Sequence, residues 1–246
     1  MSGLRWYVII GVLLIALSAA IYALQLSIFH RTSDTVFYLL QDFAFVPIQV
    51  LIVTLVINRV FQIREQAELQ QKMGMVIGIF FTEMGNTLLR YFSEFDVHIS
   101  EMREIARVRP NWSNRDFTTV RRRLNSHEYT IDCQCADLKD LKKLLDDKRE
   151  FLLQLLSNPS LLEHASFTEL LWAVSHLTQE LDTRTDLDSL PDSDYAHIAN
   201  DMRRAYVQMV VEWIGYVRQL QTTHPYIFSL IVRMNPFDSH PSPIVE

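Results

Sequence analysis

His176 and Glu180 stand four residues apart in "WAVSHLTQEL" (172–181), and His197 and Asp201 repeat the spacing in "AHIAND" (196–201). Imidazoles and carboxylates both ligate divalent metals, and side chains four apart on a helix project from one face. Brought together by two helices, the four groups would form a metal site. On separate faces they are ordinary solvated pairs. At about 100° per residue, Phe167, Leu170, Leu171, Val174, Leu177 and Leu181 share the apolar face of the first helix. His176 points nearly opposite, and Glu180 lies on the polar side. In the second helix His197 and Asp201 flank the apolar seam. Packing by apolar faces therefore predicts Asp201 near the shared boundary and His176 outside. Glu169 is assigned to a capping box, "SFTE" (166–169), that opens the first helix. A di-iron bundle needs a Glu-x-x-His from each of two helices, and "DYAH" (194–197) is a single approximation to it. The expectation is two polar helix faces, with no metal and no cofactor.

Three other groups invite the same test. "DCQCAD" (132–137) places Cys133 and Cys135 between acids, which raise a thiol pKa, so a structural reading is expected. Residues 101–125 hold seven arginines, among them Arg115, Arg121, Arg122 and Arg123. This basic patch suits anionic headgroups, a phosphorylated ligand or an acidic partner, and the plainer expectation is pairing with acids such as those of "DLDSLPDSD" (186–194). Asp42 and Gln49 lie one heptad apart in an apolar run, either as polar groups inside a bilayer or with Asp42 at its outer edge. No Ser-His-Asp arrangement, phosphate-binding glycine loop or dinucleotide fingerprint is present.

The elements that must carry these residues are helices. Six glycines, about 2% of the chain against roughly 7% in average usage, leave few positions for tight turns. A net charge of −6 disfavours a general nucleic-acid field. Residues 6–29 carry no formal charge, and a second apolar run spans 43–57; a helix needs about 20 such residues to cross a bilayer. The first run is too long for a signal h-region of about 7–15 residues. Arg59, Arg64 and Lys72 follow the second run, whereas the short loop between holds only Arg31, so both termini are expected in the cytoplasm.

Beyond the second run, apolar residues recur at three- and four-residue steps from Val60 to Tyr91, predicting a stalk. In it Gly74, Gly78 and Gly85 would permit close helix approach, here expected between copies of the chain. Further helices are predicted from Ser113 or Asn114, over 137–156, from 166 to about 181, from 193 to about 223, and in "PYIFSLIVRM" (225–234). The expected organisation is an all-α chain: a transmembrane hairpin (1–61), a helical stalk (62–107), a cytosolic helical bundle (108–237) and a disordered tail (238–246).

The segments "MVIGIFFTEMGNTLL", "NPSLLEHASFTELLWAVSHL" and "YIFSLIVRMNPF" resemble those of an uncharacterised bacterial family of short two-span membrane proteins. That resemblance implies an inner-membrane location and a helical cytosolic region, and assigns no site residue. The reading that follows is a membrane-anchored interaction or sensing module. Its expected partners are the lipid bilayer, further copies of the chain and a cytosolic protein, with no nucleic acid. An oligomeric channel or transporter subunit and a metal-dependent enzyme are the alternatives.

Overall fold

The computed structural model describes residues 2–29, 32–134, 137–159, 161 and 164–245. Among these the chain is all-α, as its composition predicts. It forms two compact units, residues 1–66 and 67–246.

The first unit contains α1 (Ser2–Phe29) and the beginning of α2 (Thr32–Phe80). α2 is 49 residues long. It runs through Pro47, which removes one backbone donor without ending the helix. Every apolar side chain from Val36 to Ile63 is exposed, Phe43 to 76%. By length and composition α2 is the one described helix able to cross a membrane, and α1 holds a shorter described apolar stretch, Ile15–Leu24. The Tyr22 hydroxyl of α1 donates to Asp42 Oδ2 of α2 at 3.4 Å. The loop residues His30 and Arg31 lie outside the described residues.

In the second unit burial starts at Met73 and Ile77 and is complete at Phe80 and Phe81. A π turn, Phe81–Gly85, then joins α2 to α3 (Asn86–Glu94). The wider turn lets two successive phenylalanines bury fully on different neighbours. Phe80 meets Phe167 edge-on, while Phe81 stacks on Tyr216 with ring centres 5.3 Å apart. Gly85 makes this possible, because a Cβ there would stand 2.6 Å from Phe81 and 2.8 Å from Phe80. The segment expected as a projecting stalk is thus, from Met73 onward, part of the domain core.

The remaining helices are α4 (Ile99–Ala106), α5 (Asn114–Ser126), α6 (Leu138–Asp147), α7 (Arg149–Leu156), α8 (Ala165–Asp182), α9 (Asp192–Thr223) and α10 (Pro225–Arg233). α9 is the central rod and packs against α3, α5, α8 and α10. The apolar seam that His197 and Asp201 flank is buried: Ile198, Met202, Tyr206, Met209, Trp213, Tyr216 and Leu220. α5 starts with a capping box, Ser113 accepting from Asp116 N and Asp116 accepting from Ser113 N.

Two local expectations are corrected. The helix expected over 137–156 breaks at Lys148, whose φ of −103° and ψ of 7° leave the helical region. α8 begins at Ala165, one residue before "SFTE", because the His164 ring accepts from Phe167 N and caps it instead.

Candidate functional site

α8 and α9 are joined by the loop 183–191 and pack along much of α8. Their register sets His176 opposite Asp201 and Glu180 near His197, the order expected of antiparallel helices. His176 Nε2 lies 3.4 Å from Asp201 Oδ2, and His197 Nε2 lies 3.5 Å from the same oxygen. Glu180 is 3.7 Å from His176 through Oε1 and 3.6 Å from His197 through Oε2. One structure therefore unites all four residues that the helical wheels keep apart. His176 is exposed, as expected, with its side chain 45% open to solvent; what the wheels do not show is that it reaches across the edge of the interface to a carboxylate that is 2% exposed.

Two arginines brace the carboxylates. Arg184 donates to Asp194 through Nε and Nη2, each at 2.7 Å, and through Nη1 to Glu180 Oε2 at 2.7 Å. This fork ties the end of α8 to the start of α9 and holds Glu180 below the usual carboxylate range. Arg204 Nη1 stands 3.4 Å from Asp201 Oδ1. Asp201 Oδ2, the oxygen facing both imidazoles, is sealed from solvent and accepts no hydrogen bond. Glu169 is exposed and lies outside this cluster.

The other predicted residues are dispersed. Gly74 and Gly78 serve close approach within the chain: a Cβ on Gly74 would collide with the Gln219 side chain, and one on Gly78 would meet Tyr216. The seam expected between copies is therefore occupied by α9. Arg115, Arg121, Arg122 and Arg123 are exposed, and none forms an ion pair among the described residues. The acids expected to neutralise them are engaged elsewhere, Asp188 with Lys139 and Asp194 with Arg184. Gln49 is exposed on α2. Cys133 is buried with Sγ 3.4 Å from Met202 Sδ, and burial first, then Asp132, pushes its thiol up to about 12. Cys135 lies outside the described residues.

A second polar cluster has no counterpart in the sequence reading. Asp96 Oδ1 accepts from His98 N at 2.9 Å, while its Oδ2 lies 3.9 Å from His127 Nε2. The Tyr129 and Tyr206 hydroxyls, His127 Nε2 and Asp96 Oδ2 are all buried without a hydrogen-bond partner. Burial raises the Asp96 carboxyl and both phenols above their ordinary values. The cluster is fixed by an isolated bridge between Asp96 and Ile131, which lies between otherwise irregular segments. Such segments carry no periodicity, and the bare sequence shows only a His and a Tyr near each other in "SHEYT" (126–130).

Two family models match the chain. One, described as "Uncharacterized protein MJ1433, C-terminal helical domain", covers residues 69–233; the other, "MJ1433, N-terminal helical domain", covers residues 2–61. The protein "Uncharacterized protein MJ1433" of Methanocaldococcus jannaschii is 40% identical over 239 residues, 97% of this chain and 96% of its own length. No solved structure matches.

Proposed function

We propose that this chain, which belongs to the MJ1433 family of helical proteins, is a membrane-anchored module that presents its second unit in the cytoplasm for interaction or sensing. The observation carrying the proposal is the unbroken exposure of apolar side chains on α2 from Val36 to Ile63, in a chain whose second unit buries its own seams. Each large apolar side chain left in water forgoes about 1.5–3 kcal/mol, and a bilayer removes that cost while a helix satisfies its own backbone. α1 supplies the second span. The excess of Arg59, Arg64 and Lys72 over the loop's Arg31 supports two cytoplasmic termini in a plasma (inner) membrane.

Asp42 bears on the channel alternative. Accepting from Tyr22 gives its carboxylate a partner on α1, which supports an anchor in preference to an ion path. Gln49, exposed on α2, supports self-association, since an amide in lipid seeks another helix. The exposed arginines of α5 suit an acidic cytosolic partner.

The anchor is tested by alkaline washing of membranes and by an impermeant maleimide. In a Cys135→Ala background, Ser33→Cys labels in intact cells and Ser239→Cys only after permeabilisation. Release by alkali, or labelling at position 239 from outside, overturns the proposal.

A further inference from the structure

We infer that His176, Glu180 and Asp201, with His197 beside them, form a binding site for a divalent transition-metal ion of the zinc class. The inference is independent of the membrane reading, since all four residues belong to α8 and α9 of the second unit.

The distances carry the first part. His176 Nε2 lies 3.4 Å from Asp201 Oδ2 and 3.7 Å from Glu180 Oε1, and His197 Nε2 lies 3.5 Å from Asp201 Oδ2. These separations are too long for good charge-assisted hydrogen bonds, which fall near 2.7–2.9 Å. They are close to the spacing of ligands around one ion, because tetrahedral donors about 2.0–2.1 Å from zinc stand roughly 3.3–3.4 Å apart. One ligand atom each from His176, Glu180 and Asp201 falls within 4.8 Å of the others. His197 stands 3.5 Å from the same Asp201 oxygen, at the edge of this group of three.

Asp201 supplies the second and independent part. A 2% exposed carboxylate whose Oδ2 accepts no hydrogen bond is costly, because its desolvation is left without compensation. That oxygen points where the two imidazoles converge, and a cation there would satisfy it. The neighbouring arginines hold the opposite oxygens: Arg204 faces Asp201 Oδ1, and Arg184 binds Glu180 Oε2. Asp201 Oδ2 and Glu180 Oε1 are thereby left for an ion, with the arginines orienting the ligands from behind. Counting Asp194 with them, three carboxylates outnumber two guanidiniums, so the surroundings remain net negative. Mixed imidazole and carboxylate donors favour zinc, cobalt or iron(II) over calcium and magnesium, which prefer oxygen alone.

The test uses the full chain in nanodiscs, stripped with a chelator and titrated with Co²⁺ alone. Wild type takes up one equivalent with the intense visible bands of a tetrahedral N,O site, and Zn²⁺ bleaches them. Asp201→Asn and His176→Gln each weaken uptake by more than about tenfold, the lower bound seen for losing even an outer partner of a ligand. His240→Gln, in the tail, leaves uptake unchanged. Circular dichroism reports folding, and His176, half exposed, provides a variant that keeps the core intact should Asp201→Asn fail to fold. No uptake by wild type, or equal uptake by wild type and His176→Gln, overturns the site.

Discussion

A Cβ built on Gly78 would stand 3.3 Å from the ring of Tyr216, tighter than most side-chain contacts. The ring also stacks on Phe81, so it has little room to retreat. Gly78→Ile should therefore destabilise the second unit by about 1–3 kcal/mol, the usual cost of overpacking. Urea unfolding followed by tryptophan fluorescence measures this. An unchanged midpoint with smaller assemblies in mass photometry would return Gly78 to a contact between copies.

Trp213 Nε1 donates to Asn86 Oδ1 at 3.1 Å, and Trp213 is fully buried. Asn86→Leu leaves that indole N–H without a partner. The expected loss is about 1–3 kcal/mol, measured by the same urea titration. A loss under about 0.5 kcal/mol, typical of surface changes, would show that another acceptor takes over.

The buried Asp96 carboxyl makes stability depend on pH. Its folded pKa is raised, chiefly by burial, with the His98 backbone N–H, His127, Tyr206 and His98 opposing. Nearby charged groups are Glu101, which faces His127, and Arg103, which acts on Tyr206. The folded state thus holds this proton more tightly than the unfolded chain. The stability it contributes is complete below the unfolded value, about 3.9, and is lost as pH rises through the raised folded value. Asp96→Asn keeps the acceptor for His98 N and removes that slope. The variant should gain on wild type steadily from about pH 4 toward neutrality. A constant difference across that range would exclude Asp96 as the source.

Cys133 should behave as an inert core residue. It is 3% exposed with its thiol pushed up to about 12. In a Cys135→Ala background, a disulfide reagent at mildly alkaline pH should leave the native chain unmodified and titrate one thiol after denaturation. Fast native labelling would contradict the burial.

Periodicity made α9 legible in detail, because an apolar repeat sustained from Ile198 to Leu220 fixes one face without ambiguity. Ser113 was legible for a different reason, since a capping side chain is a local signal. A wheel fixes the phase of residues within one helix but not the roll of that helix against its neighbour. That is why the wheel places His176 in solvent, where it is, without showing that it also meets Asp201. The break at Lys148 was hidden because no glycine or proline marks it. The Asp96, His127, Tyr129 and Tyr206 cluster was hidden because three of its members lie in irregular segments that meet through a single bridge.

The π turn at Phe81–Gly85 amounts to one surplus residue stored in an otherwise regular rod. Deleting Thr82 would let the rod close as a plain α-helix. Because the bulge already absorbs that residue, residues 67–80 would keep their phase relative to α3 and Met73 and Ile77 would stay in the core, whereas a deletion from the regular turns before it would swing the upstream segment by about 100°. Length changes in this stretch are therefore quantised for descendants of this gene. In the regular turns a single-codon loss scrambles the packing, whereas a loss of seven codons, close to two full turns, keeps every facing residue in phase.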